Sequence, residues 1–187
     1  MICIFFDIDD TLLKYGAYDY VVDNYTIDGK PITWVEYNQN VKLISKMLRK
    51  DTKAYEYLIG SKLRIQMIKQ WLKNMHKMGI KLITLTANYN CIVLPLLNEM
   101  GILKYFSANI DRTHEDYNYK TPISKSVIMT KMKKKHDFKH IIFVDDCKYN
   151  ISMARLFRIK SFYINSGIGI DDKVILDMNK YINILMS

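Results

Sequence analysis

Cysteine is scarce in this 187-residue chain, and the three present, Cys3, Cys91 and Cys147, stand far apart with no paired metal-ligand spacing. That excludes a disulfide scaffold or a zinc ribbon and points to reduced thiols in an intracellular protein, used for packing. Long apolar runs are missing too: none approaches the roughly 18 residues of a membrane helix. The chain passes from Met1 to an acid at position 7 with no basic leader or apolar signal segment. The expectation is a soluble, cytoplasmic protein with no membrane attachment. Arginine is the third shortage, with 5 residues against 23 lysines. The net charge of +9 suits nucleic acid, an anionic surface or phosphorylated substrates. Planar, bidentate recognition of phosphates and base edges favours arginine, however. With only 5 alanines and 7 glycines beside 14 tyrosines, the bias matches an A/T-rich coding sequence, so the charge is weak support for a nucleic-acid partner.

What is present is a chain long enough for one full domain and a small accessory one, able to bury roughly 70% of its unfolded surface. Residues 2–6, ICIFF, are apolar on both faces, which suits an inner parallel strand. Three acids and a threonine follow at once: Asp7, Asp9, Asp10 and Thr11. In an open α/β sheet the ligand crevice lies beyond the carboxyl ends of the strands, so Asp7 stands at that edge. Asp9, two residues on, is close enough to share a metal ion or phosphoryl group with it. An Asp-rich turn or helix cap is the simpler reading of this stretch by itself.

Residues 15–60 lack the pattern of a buried α/β core and read as an insertion. Asp28-Gly29 between Tyr25-Thr26-Ile27 and Ile32-Thr33-Trp34 is a hairpin signal, with Pro31 marking an edge. Val41, Ile44, Met47 and Leu48 then recur at helical spacing. A β hairpin and one helix make a small flap or cap, with Tyr18, Tyr20, Tyr25, Trp34 and Tyr37 read as a miniature hydrophobic core in preference to substrate contacts. From Ser61 the chain alternates. A helix capped by Ser61 ends before Gly79, and residues 80–85 form a strand closed by Thr86-Ala87-Asn88. A helix over 94–100 has to start late or kink because of Pro95. A short third strand ends at Ile110, and 111–119 is a polar loop. A helix over 124–136 carries Lys131, Lys133, Lys134 and Lys135, read as a solvated helix end rather than a nucleic-acid patch. Residues 141–144 are apolar and end in Asp145-Asp146, with Asn150 beyond. A helix over 151–157, a strand over 161–165 and a helix over 175–185 complete the chain. This alternation predicts an α/β fold, a three-layer Rossmann-like parallel sheet, with residues 1–14 and 61–187 as core and 15–60 as cap.

Three strand ends therefore carry polar groups: Asp7 with Asp9, Thr86, and Asp145 with Asp146. Carboxylates converging in one crevice repel unless a cation joins them, and hard oxygen ligands select magnesium over zinc. Phosphate is the usual partner of such a site. The histidines, His76, His114, His136 and His140, show no ligand spacing.

At this point the sequence resembles the haloacid dehalogenase-like superfamily of phosphatases. FFDIDDTLL is similar to the first motif, with Asp7, Asp9 and Thr11 in place. KLITLT, ending on Thr86, is similar to the second, and IIFVDD with Asn150 behind it to the fourth. LNEMGILKYF and NISMARLFRIKSFYI resemble the links between them. The third motif is a lysine, for which Lys120, followed by Thr121-Pro122, is favoured over Lys125. The resemblance implies that Asp7 is the nucleophile and Asp9 the acid and base. It further implies that Thr86, with the backbone of Ala87 and Asn88, holds phosphoryl oxygens and that the lysine offsets charge. By the same resemblance Mg2+ is expected on Asp7, the Asp9 carbonyl and Asp146, with Asp145 binding through water or orienting the site. Asp9 separates this chain from dehalogenases, which need no acid there, and the absence of a DKTGT pattern separates it from transport ATPases. The expected activity is hydrolysis of a small phosphorylated metabolite or nucleotide. A polynucleotide 3′-phosphatase and a catalytically silent binding protein are the alternatives, and nothing indicates an oligomeric state.

Overall fold

The computed structural model describes residues 1–117 and 124–187. Five parallel strands form the central sheet in the order β5-β4-β1-β6-β7. They are β1 (Ile2–Phe6), β4 (Lys81–Leu85), β5 (Ala108–Ile110), β6 (His140–Asp145) and β7 (Lys160–Tyr163). β1 lies in the middle, bonded to β4 on one side and β6 on the other, so the order of connection reverses there. That reversal opens a crevice above its carboxyl end, which is where β1 delivers Asp7.

Alternation along the strands divides the core between the two faces of the sheet. Ile4, Phe6, Leu82, Ile142 and Val144 point one way, onto α5 (Lys62–Lys77), α6 (Asn90–Glu99) and α9 (Asp172–Met186). Cys3, Phe5, Ile83, Leu85, Ile141 and Phe143 point the other, onto α7 (Ser124–His136) and α8 (Lys148–Leu156). The expected three-layer α/β architecture is what forms. Ser61 accepts from the Arg64 N–H, and Gly79 takes the left-handed position after α5, as the sequence signals.

Two local expectations fail for identifiable reasons. α6 begins at Asn90, not near 94, and carries Pro95 inside it. Proline leaves the carbonyl four residues back without its donor; here the Cys91 carbonyl accepts instead from the Ser45 hydroxyl at 2.6 Å. The helix tolerates Pro95 because a neighbouring helix supplies the missing hydrogen.

Residues 15–60 also differ from a hairpin and one helix. They contain α1 (Ala17–Asn24), a two-residue-per-arm hairpin of β2 (Thr26–Ile27) and β3 (Lys30–Pro31), then α2 (Trp34–Gln39), α3 (Val41–Lys50) and α4 (Thr52–Ile59). Asp28 and Gly29 both have positive φ, as the hairpin turn requires. Trp34 is not a strand residue: Thr33 and Glu36 form a reciprocal capping box that starts α2. That T-x-x-E spacing was readable in the sequence. Nor do the aromatics make a separate miniature core. Tyr37 is fully buried, Tyr18 and Tyr25 are half-buried, and all join one continuous cluster with Ile4, Phe6 and Val144. Trp34 stays largely exposed, stacked parallel to Tyr37. Among the described residues no helix is long and apolar enough to cross a membrane.

Candidate active site

β1 continues past its last residue through one more ladder bond, Asp7 N–H to the Val144 carbonyl at 2.9 Å. The chain then turns over Ile8–Leu12, with Asp9 extended and Asp10 in the left-handed region at φ 55. Aspartate tolerates that conformation, and Asp10 gains from it. Its Oδ1 accepts from the Ser166 hydroxyl at 2.9 Å and the Gly167 N–H at 3.2 Å, tying the turn to the loop after β7. Thr11 and Leu12 carbonyls accept from the Arg64 guanidinium at 3.1 and 3.0 Å. Gly169 closes over this contact at positive φ, and a Cβ there would stand 3.0 Å from the Thr11 oxygen and strike the guanidinium. Burial lowers Arg64 to about 10, which leaves it charged at neutral pH. Nothing in the sequence marked Arg64 or Gly169 for this task, because the contact joins distant segments.

Three carboxylates meet above β1 and β6. Asp7, Asp145 and Asp146 each offer an oxygen within 4.8 Å of the others. Asp145 is fully buried and heavily partnered: Cys147 N–H reaches Oδ1 at 2.7 Å, and Asn150 Nδ2 reaches both oxygens at 3.2 and 3.1 Å. Asp146 is half-exposed, with the Thr11 hydroxyl 3.5 Å from its Oδ1. Asn150 thereby ties the first turn of α8 to the Asp145 carboxylate.

The lysine expected at Lys120 lies outside the described residues. Lys125, its rival in the sequence, is buried in the site at the start of α7, with Nζ 2.9 Å from Asp7 Oδ1 and 2.7 Å from Asp145 Oδ2. Burial alone would lower its pKa, but Asp145 and Asp7 outweigh burial and hold the ammonium above its usual value.

Thr86 follows β4 directly and is fully buried, its N–H bonded to the Ile110 carbonyl. Its Oγ1 accepts the Asn88 N–H at 3.1 Å, so that N–H is engaged within the loop while the hydroxyl proton remains available. The Asn88 side chain reaches Asp9 Oδ2 at 3.1 Å, and the Ala17 N–H reaches Asp9 Oδ1 at 2.6 Å. Asp111, which the sequence reading passed over, ties the β5 loop to α6 by accepting from the Asn90 and Thr113 N–H groups. Asp7, Asp9, Thr86, Asp145 and Asp146 thus arrive from three strand ends around one crevice. Ala87 is exposed at its rim.

The electrostatics of this cluster bear on its use. Burial pushes the Asp7 carboxyl well up; Lys125 opposes that, while Asp145, Asp146 and Asp9 add to it. Burial likewise raises Asp9, against the bonds from Ala17 and Asn88. Burial, with Asp145 and Asp10 beside it, pushes Asp146 up to about 7. Lys125 alone does not balance the cluster. Among the described residues none gives Asp7 Oδ1 a well-directed hydrogen bond, although Lys125 is close. Hard oxygen donors at this spacing, short of positive charge, fit a divalent cation.

Beside the turn lies a cleft of about 460 Å³ with Asp10, Asp19, Asp23, Tyr15, Tyr20 and Tyr57 among its walls. Asp19 is raised by desolvation and by Asp10 and Asp23.

The central strand of the parallel sheet thus ends in a buried carboxylate, with two further acids and a buried lysine beside it. The family model for haloacid dehalogenase-like hydrolases matches residues 1–157, and the chain belongs to that family. Among curated proteins none matches. Solved structures share the fold at low identity. A haloacid dehalogenase-like family hydrolase from Streptococcus pneumoniae is 16% identical with a TM-score of 0.57, over 94% of this chain and 89% of its own. A predicted phosphoglycolate phosphatase from Haemophilus somnus is 16% identical with a TM-score of 0.58, over 96% and 97%. A substrate-bound phosphoserine phosphatase is 15% identical with a TM-score of 0.56, again over 96% and 97%.

Proposed function

We propose that this protein is a magnesium-dependent phosphomonoester hydrolase working through an aspartyl-phosphate on Asp7. The observation that carries the reading is the meeting of Asp7, Asp145 and Asp146 at the carboxyl end of the central strand, with Lys125 bridging the first two. Asp7, Asp146 and the Asp9 carbonyl would hold the Mg2+, with Asp145 orienting Lys125 and the loop. When bound, the cation supplies positive charge to the phosphoryl oxygens and favours the ionised form of Asp7.

Asp7 attacks phosphorus, and the bond from phosphorus to the leaving oxygen breaks as Asp9 gives that oxygen its proton. Asp9 then takes a proton from water. The water oxygen attacks the phosphorus of the aspartyl-phosphate, the bond to Asp7 breaks, and inorganic phosphate leaves. A raised Asp9 pKa suits a group that must donate first and accept later. The Thr86 hydroxyl and the Ala87 backbone hold phosphoryl oxygens, and Lys125 balances their charge. Residues 15–60 serve as a cap whose first helix already contacts Asp9.

The acidic cleft beside the turn favours a compact monoester over a polynucleotide, because successive phosphates would meet Asp10, Asp19 and Asp23. Lys131 on α7 is engaged with Asp116, and the lysines after it are exposed. The phosphoglycolate and phosphoserine phosphatases that share the fold fit the same small-substrate class. The deciding experiment is hydrolysis of 4-nitrophenyl phosphate with and without Mg2+, by the natural chain and by Asp7→Asn. Metal-dependent turnover lost in the variant supports the reading. A natural chain silent across a broad phosphate panel sinks it and leaves a binding protein.

A further inference from the structure

Asp9 is held from two sides, and one of the two grips is indirect. An amide side chain fits a site in either orientation until a partner fixes it. The Asn88 Oδ1 accepts from the Tyr37 hydroxyl at 2.8 Å and from the Tyr89 N–H at 2.8 Å. With two donors on its oxygen, Asn88 turns its Nδ2 toward an acceptor, and the acceptor in place is Asp9 Oδ2 at 3.1 Å. Tyr37 is 1% exposed and Asn88 6%, so water is poorly placed to replace a lost partner. The Tyr37 ring is itself fixed by Tyr18, edge-on at 5.0 Å, and by Trp34. A buried line of hydrogen bonds therefore runs from α2 in the insertion, through the loop after β4, to the turn after β1.

We infer that Tyr37 and Asn88 are positioning residues for proton transfer by Asp9, so that the insertion sets the acid's orientation as well as covering the crevice. The inference rests on the reading of Asp9 as acid and base. The Tyr37 hydroxyl and the Asn88 amide act through the Asp9 carboxyl, which they hold against rotation about its Cβ–Cγ bond. The Ala17 N–H on Oδ1 at 2.6 Å supplies the second fixed point. A carboxyl pinned at both oxygens presents its remaining lone pairs in one plane, and a proton donor works only when that plane contains the leaving oxygen.

This role has a signature that a general loosening of the fold lacks. An alkoxide needs a proton to leave, whereas a nitrophenolate leaves with little help. Of the kinetic constants, kcat/KM reports the steps up to that departure. The test compares the natural chain, Tyr37→Phe, Asn88→Ala, Asp9→Asn and the double variant Asp9→Asn/Asn88→Ala on 4-nitrophenyl phosphate and on ethyl phosphate. Asn88→Ala is expected to lower kcat/KM by about 100-fold on the alkyl ester and by less than about fivefold on the aryl ester. Tyr37→Phe, which keeps the buried ring and so preserves the fold, is expected to lower the alkyl value about tenfold with little change in the aryl one. In the Asp9→Asn background, Asn88→Ala is expected to add almost nothing. Equal losses on both esters, or losses that add to those of Asp9→Asn, overturn the inference while leaving the phosphatase reading intact. A natural chain that hydrolyses neither ester overturns both.

Discussion

Two groups of carboxylates lie within a short reach of each other, and they behave as opposites. Asp7, Asp145 and Asp146 sit at the ends of inner strands with their backbones fixed by the sheet and a buried lysine among them. Asp10, Asp19 and Asp23 line an open cleft walled by tyrosines, where Asp19 and Asp23 are exposed and no ion pair among the described residues reaches them. Both groups are acidic, yet only the first has rigid placement, with two of its carboxylates buried and a lysine fixed between them. Water screens the second group's repulsion; the first has to be balanced by charge. The lesson is that chemistry follows from where the backbone holds a carboxylate and what surrounds it, more than from how many acids are near.

The sharpest way to break this contrast is at the nucleophile. Asp7→Asn should lower phosphate hydrolysis by about a thousandfold or more, whereas Asp19→Asn and Asp23→Asn should each change it less than about twofold. Comparable losses from either group, in a steady-state assay, would remove the distinction. Next in size is Lys125→Met, which leaves Asp7 and Asp145 buried without their cation and should cost about 3–5 kcal/mol in denaturant unfolding. Added magnesium should recover part of that, while it should do nothing for Asp19→Asn.

Proton linkage gives the third test. Asp146 holds its proton up to about 7 in the folded chain but releases it near 4 when unfolded. Between those values the folded state binds more protons, so in chelator stability should fall as pH rises from about 4 to 7. A divalent ion competes with that proton, so its affinity by titration calorimetry should weaken as pH drops below about 7. An affinity flat from pH 5 to 8 would take Asp146 out of the ligand set. Asp10, which stands between the two groups, should give a smaller effect. Asp10→Ala loses two hydrogen bonds and strains a left-handed residue, for about 2 kcal/mol by thermal unfolding, and Asp10→Asn should cost less. Smallest of all, Asp19→Asn should shift stability by no more than about 0.5 kcal/mol, upward because it removes a charge disfavoured by desolvation and by its neighbours Asp10 and Asp23.

Much of the site was legible because parallel inner strands write themselves as apolar runs and deliver polar residues at fixed ends. ICIFF-D, KLITL-T and IIFV-DD each gave both a strand and its terminal group. The lysine was harder. Lys125 reaches the cluster only because α7 brings its first turn against Asp145, and one lysine among 23 carries no positional signal of its own. Residues 15–60 were harder still. Their capping box at Thr33 and Glu36 was readable, but four helices resting on the main core show no interruption in pattern that separates them from a flap.

By itself, the sequence determined the α/β alternation, the strands that end in Asp7, Thr86 and Asp145-Asp146, and the family, since each follows from short-range pattern and spacing. Only the tertiary structure decided which partners those groups have. Lys125 joins Asp7 to Asp145 across more than a hundred residues, Ser45 supplies the hydrogen bond that Pro95 cannot, and Tyr37 reaches Asp9 through Asn88. Such contacts come from packing of distant segments, where one buried donor finds one acceptor, and no local preference along the chain encodes that meeting.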